Sequence, residues 1–190
     1  MDTNRKFGSR LCVIGDQPTK IDQNLKESVS HLAKEMIKAE IGLVHHIIKN
    51  DLIDLIAETI KVQGGHVTNF ELSTSIQNTK FLDPADEYFS VDSLHECKMR
   101  MFQNSDGLIV LPGGVGTLEV LMEYLTWLQR IYQSKPVYLI NLDGYWSLLI
   151  QLFENMETEQ FLPYNFNSRY VLLNNLIDVV PTFQSTYINR

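Results

Sequence analysis

Residues 107–119 read GLIVLPGGVGTLE, an apolar run that meets a proline, a glycine-rich loop and a threonine. Glycines at the end of a strand allow a close approach of backbone to ligand that side chains would forbid. A helix starting just after them directs unpaired N–H groups and the positive end of its dipole at whatever lies in front. The chemistry implied is anion binding, and on a strand–loop–helix element the expected anion is a phosphate. Gly113, Gly114, Val115, Gly116 and Thr117 are therefore the candidate phosphate-binding residues. Thr117 stands where the helix is expected to begin, so its hydroxyl can cap the helix or meet a ligand oxygen. Two better-known templates fail. No Lys-Ser/Thr pair follows the glycines, which excludes a Walker loop, and Gly114-Val115-Gly116 lacks the third glycine of a dinucleotide fingerprint. The loop alone also fits a tight turn before a well-capped helix with no ligand.

Other residue types capable of chemistry are sparse. The five histidines show no HxxxH spacing and the two cysteines no CxxC, so no metal site is expected. His45 and His46 are neighbours at a strand end and point to opposite faces. Cys12 lies inside an apolar run as a small buried thiol. Cys97 sits beside Lys98 and near Arg100, a setting that can activate a thiol, although no histidine partner is close in sequence. Two separate cysteines fit free thiols in a reducing compartment, so a cytoplasmic location is expected.

Positioning the loop requires a scaffold, and the chain alternates short apolar runs with longer amphipathic ones. Strands are expected at Leu11–Ile14, Ile41–Val44, His66–Phe70, Leu108–Leu111 and Pro136–Ile140. Helices are expected from Asp22 onward, over Asp51–Val62 with a C-cap at Gly64-Gly65, over Val91–Gln103, Thr117–Tyr132 and Tyr145–Met156. Glu71–Ser90 shows little periodicity and is expected to be a long surface loop. The tail carries a short apolar piece, Tyr170–Leu173, and a last helix around Leu176–Val180 that Pro181 should stop. This alternation specifies an α/β chain: a single Rossmann-like, doubly wound domain over residues 1–190, its mostly parallel sheet flanked by helices, with 1–9 a flexible N-terminus. Ligands in that architecture sit at the carboxyl ends of the strands.

The 190 residues suffice for one well-buried core, and 44% hydrophobic with 21% charged residues is the composition of a soluble globular protein. A net charge of -7 without any basic run excludes a nucleic-acid partner. No apolar stretch is long enough to cross a bilayer, and Met1–Arg10 lacks the apolar core of a signal peptide.

The stretch VDSLHECKMRMFQNSDGLIVLPGGVGTLEVLMEYLTW, continuing through KPVYLINLDGY, closely resembles the lonely guy (LOG) family, whose members were often labelled lysine decarboxylases. They are cytokinin-activating phosphoribohydrolases, which cut the N-glycosidic bond of a nucleoside 5′-monophosphate to release base and ribose 5-phosphate. The family pairs a PGGxGTxxE loop with an upstream ERK-type helix, approximated here by HECK. The resemblance implies a homodimer with sites near the subunit interface, no metal or organic cofactor, and an arginine and a glutamate as the main catalytic pair.

Both catalytic positions are changed. The arginine falls on Cys97 and the glutamate on Val120. The family's glycine-rich loop after the second strand is replaced by HHIIKNDLID, residues 45–54, which has no glycine. The Cys-Gly-Ser turn after the first strand is reduced to Gly15-Asp16, where an acidic side chain would repel a phosphate. Cleaving an N-glycosidic bond builds positive charge on the ribose, so loss of both groups argues against the family's usual reaction. Arg100, three residues after Cys97, and Glu123, three after Val120, are candidate substitutes, as is Glu119, which points about 100° away from Val120 around the helix. Three functions follow: a catalytically impaired binder of a nucleotide or related phosphate; an active phosphoribohydrolase using Arg100 with Glu123 or Glu119; or a non-binding structural partner of an active paralogue.

Overall fold

The computed structural model describes residues 8–16, 23–46, 50–73, 85–130, 135–163 and 165–188. The first half runs β1 (Ser9–Ile14), α1 (Gln23–Lys38), β2 (Ile41–His46), α2 (Asp51–Val62), β3 (Val67–Leu72) and β4 (Glu87–Val91). The second half runs α3 (Leu94–Asn104), β5 (Gly107–Val110), α4 (Val115–Arg130), β6 (Val137–Ile140), α5 (Ser147–Thr158), β7 (Val171–Leu173) and α6 (Val179–Ile188). The seven strands form one sheet in the order β4-β3-β2-β1-β5-β6-β7, and every pairing is parallel.

Parallel strands need cover on both faces, and the period-two alternation of each strand divides the core accordingly. Leu11 and Val13 of β1 pack with Val29, Leu32, Ala33 and Met36 of α1 and with α2 and α6 on one face. Cys12 and Ile14 pack with α3, α4 and α5 on the other. The α1 residues recur at i, i+3, i+4 and i+7, the stripe that a helix buries on a sheet. Full burial of a side chain such as Leu32 stabilises by about 1.5–3 kcal/mol relative to leaving it in water.

The topology also creates the site. The chain winds outward from β1 to β4 and then returns to lay β5 on the other side of β1. The helix after β1 covers one face and the helix after β5 the other, so a crevice opens between them at the carboxyl ends of the strands.

Several expectations are corrected. Within the stretch 71–90, expected to be loop, β3 extends to Leu72 and Glu87–Val91 forms the edge strand β4; residues 74–84 lie outside the described residues. As an edge strand β4 leaves Tyr88 and Phe89 substantially exposed, which blurs the apolar pattern, while Phe89 stacks on Phe70 at 5.2 Å. Val91 ends that strand, and α3 starts only at Leu94. Its N-cap is Ser93, whose hydroxyl accepts from Glu96 N at 3.1 Å, while Glu96 accepts from Asp92 N at 3.3 Å. Pro181 does not stop the last helix. It lies in the first turn of α6, where a missing N–H has no intrahelical partner to lose. Ser9 belongs to β1, so of the N-terminal segment expected to be flexible, residues 1–7 lie outside the described residues. Asp22 and the end of the α4 region at 131–134 lie outside them too.

Two fixtures hold the frame. At α2, Gly64 takes φ +79° while Gly64 N and Gly65 N donate to Lys61 O and Ile60 O, the Schellman closure expected of Gly64-Gly65. At the amino ends of the strands, buried Arg10 donates to Thr68 Oγ1 at 3.0 Å and to Glu87 Oε2 at 2.7 Å. That bond tethers the edge strand. Burial opposes the charge of Glu87, but the Arg10 and Thr68 hydrogen bonds outweigh it and hold its pKa below the usual carboxylate value.

Candidate functional site

At the carboxyl ends of β1 and β2 lies a cavity of about 250 Å³, just below the range usual for small-molecule sites, about 300–1,000 Å³. Val13 and Ile14 of β1 form part of its wall. One side is the α3 stripe Leu94, Cys97, Lys98 and Met101, spaced at i, i+3, i+4 and i+7 so that one helix face lines the space. The first turns of α4 supply Gly116, Thr117 and Val120. His46, Asn50 and Ile53 complete it, so the described part of the glycine-free 45–54 run shapes the cavity rather than filling it. Asn50 is the N-cap of α2, accepting from Leu52 N and Ile53 N, and its Nδ2 donates to Gly15 O at 2.9 Å.

The glycines of the loop act differently from one another, and none of the three takes a positive φ. A Cβ on Gly113 would lie 2.1 Å from Thr117 Oγ1 and 2.9 Å from Asp16 N, so close approach is the reason for that glycine. A Cβ on Gly116 would meet nothing within 4 Å, so this glycine leaves open space at the cavity wall. The helix begins at Val115, which places Thr117 in the first turn rather than at the cap. Its hydroxyl donates instead to Asp16 Oδ2 at 3.1 Å, and Gly114 N donates to the same oxygen at 2.5 Å. The carboxylate of Asp16 thus occupies the amino end of α4. Tyr145, which the motif does not reveal, donates its hydroxyl to Gly113 O at 2.7 Å and fastens the loop from the β6 side.

The charged groups form one cluster. Lys98 Nζ lies 2.7 Å from Glu119 Oε1 and 2.6 Å from Glu123 Oε2. Burial opposes the charge of Lys98, but the hydrogen bonds to the two carboxylates prevail and raise its pKa. Glu123 also meets His95 Nδ1 at 3.2 Å. Of the candidate carboxylates Glu119 lines the cavity and Glu123 does not; Arg100 lies outside it, largely exposed and paired with Glu96 at 3.1 Å. Among the described residues Lys98 is the cation that lines the cavity, and its place in HECK beside Cys97 is the sequence signal for it. His46 Nε2 is buried with no hydrogen-bond partner among the described residues, and burial, then His45, lowers its pKa to about 4. It is neutral at physiological pH. Among the described residues no three His, Cys, Asp or Glu side chains are placed to hold a metal ion.

Residues 53–183 match the family profile described as "Possible lysine decarboxylase". A cytokinin riboside 5′-monophosphate phosphoribohydrolase of Arabidopsis thaliana is 30% identical over 168 residues, covering 88% of this chain and 77% of the relative. A probable enzyme of the same name from Oryza sativa subsp. japonica is 33% identical over 144 residues, covering 76% of this chain and 63% of the relative. The chain belongs to the lonely guy (LOG) family. Its fold is also that of a molybdenum cofactor binding protein from Rippkaea orientalis, with a TM-score of 0.70 at 16% identity over 96% of this chain and 99% of the other.

Within the LOG frame, the two positions where the family's arginine and glutamate are expected, Cys97 and Val120, both line the cavity. Cys97 is 1% exposed, its Sγ lies 3.8 Å from Met101 Sδ, and burial, then Glu96, pushes the thiol up to about 12. Its burial goes against the activation that Lys98 and Arg100 suggested: Lys98 lowers the pKa, but its effect is smaller than that of burial. Val120 offers neither charge nor hydrogen bond. The side chains at these two positions are thus uncharged, while Lys98 and Glu119 beside them line the same cavity.

Proposed function

We propose that this protein binds a base-bearing ligand of nucleotide type in the cavity, with the ligand's sugar end toward Gly113–Thr117, and that it is impaired as a phosphoribohydrolase. The observation that carries this is the pair Cys97 and Val120, both facing the cavity and both uncharged. An oxocarbenium-like transition state needs a carboxylate close to the ribose and a fixed charge on the ligand's anionic part. Removing one such electrostatic group from an active site costs about 10²–10³ in rate. The apolar wall of Val13, Ile14, Leu94 and Met101 suits the flat face of a base. The test is calorimetry with nucleosides and nucleoside 5′-monophosphates beside an assay for released base. Binding without release, abolished by Val120→Trp, which fills the cavity from α4, supports the proposal.

A second reading is favoured by one observation: Glu119 lines the cavity and is held there by Lys98. In that reading the protein is an active N-glycosyl hydrolase with Glu119 as its carboxylate. Robust base release that disappears in Glu119→Gln would establish it. The same family relationship supports a homodimer, and exposed Leu148 and Leu152, one turn apart on α5, offer apolar surface for it. Two buried free thiols, Cys12 and Cys97, support the cytoplasm as its location.

A further inference from the structure

We infer that Asp16 sets the phosphate preference of this site, so that the cavity takes a nucleoside, a base on an unphosphorylated ribose, ahead of its 5′-monophosphate. This rests on the nucleotide-type reading above. The relatives are named for acting on a riboside 5′-monophosphate, and in a strand–loop–helix element the seat for that phosphate is the helix amino end. In this chain the seat is taken. Gly114 N–H and the Thr117 hydroxyl, two of the donors a phosphate would need, both go to Asp16 Oδ2.

A phosphate could enter only by displacing that carboxylate, and the backbone leading into Asp16 is held at several points. Asp16 N donates to Pro112 O at 3.2 Å, and Gly15 O accepts from the α2 cap residue Asn50. Gly15 is so close to the neighbouring strand end that a Cβ there would lie 2.6 Å from Leu111 Cβ. Nor, among the described residues, does the rest of the cavity compensate an added anion. The cavity-lining cation Lys98 is shared between Glu119 and Glu123, and His46 is neutral. A phosphate would therefore stand against Asp16 and Glu119 with its counter-charge already committed. A ribose hydroxyl, by contrast, is a donor that a carboxylate oxygen accepts.

The test is calorimetry on the wild-type protein, Asp16→Asn and Asp16→Ser, with adenosine, guanosine, cytidine, uridine and their four 5′-monophosphates. Thermal melts confirm that each variant is folded, and the wild-type measurement stands without any variant. For whichever base binds, the wild-type protein should prefer the nucleoside by at least about tenfold, the scale of like-charge exclusion at a recognition site. In the variants, the ratio should move toward the monophosphate by a similar factor. A wild-type protein that prefers the monophosphate overturns the inference, as does a ratio unchanged in both folded variants. Binding to none of the eight compounds by any of the proteins would instead remove the nucleotide-type reading, and this inference with it.

Discussion

His46 should make the protein acid-sensitive in a pH window that begins above the range where ordinary carboxylates titrate. Its imidazole closes β2 against the cavity, and burial, then His45, holds its pKa at about 4 against 6.5 for the free side chain. Below pH 6.5 the unfolded chain takes up this proton, and the native protein refuses it until about pH 4. The unfolded state thus binds more protons across the window, so stability rises with pH and is lost as the pH falls. At about 1.4 kcal/mol per pH unit the full interval gives about 3 kcal/mol, an upper bound because the ring keeps partial contact with water. That corresponds to a fall of about 6–12 °C in melting temperature for a domain of this size. His46→Gln removes the proton site. Urea denaturation of both proteins at pH 7.5, 6.5, 5.5 and 4.5 measures the difference. Glu35, Asp86 and Glu87 also have lowered pKa values and add acid sensitivity that begins as the pH falls through their unfolded values of 4.5, 3.8 and 4.5, overlapping the lower end of the His46 window but equally in both proteins. The gap between the two stability curves should narrow or reverse in favour of the variant as the pH falls from 6.5. Parallel curves would refute the reasoning.

Further expectations concern the frame and the thiols. Arg10→Met should cost about 2–3 kcal/mol by urea denaturation, below the figure for a fully buried pair because Glu87 is partly open to water; a cost under about 0.5 kcal/mol would show that the tether of β4 is dispensable. Native protein should resist alkylation by iodoacetamide at pH 8 at both Cys12 and Cys97, each with its pKa pushed to about 12, and react fully in urea. Rapid native labelling of Cys97 followed by mass spectrometry would contradict its burial. Gly113→Ala should destabilise the loop by about 1–3 kcal/mol, because the new methyl group collides with the Thr117 side chain. A melting temperature equal to wild type would show that the loop has room to move.

Much of the frame was legible because parallel strands read as apolar runs and surface helices as stripes. Leu11–Ile14 and the α1 residues Val29, Leu32 and Met36 carry both periods plainly. Edge strand β4 was not legible, since EYFSV buries little and owes its place to Arg10 and Phe70, which are distant in sequence. The last helix was misjudged because proline is disruptive only beyond the first turn. At the site, PGGVGT announced its loop and helix start, and the LOG resemblance located Cys97 and Val120, which do face the cavity. Gly15-Asp16 was legible as an acidic turn unfavourable to a phosphate, but that its carboxylate takes the donors of the helix end was not. Asp16 is about a hundred residues away from Gly114 and Thr117, and only the β1–β5 pairing brings it to them. Lys98 was legible as the lysine of HECK, but its ion pairs were not, because Glu119 and Glu123 lie on another helix.

The central claim is that a LOG scaffold is kept here while the two positions expected to carry its arginine and glutamate, Cys97 and Val120, are uncharged. The direct test is release of free base from a panel of nucleoside 5′-monophosphates by the wild-type protein and by the Cys97→Arg/Val120→Glu double variant, the variant also carrying Asp16→Ser in a parallel sample. The account predicts no turnover above background for wild type, and measurable base release once the arginine and glutamate are returned, greatest when Asp16 is also removed. Robust wild-type turnover that vanishes in Glu119→Gln would contradict it.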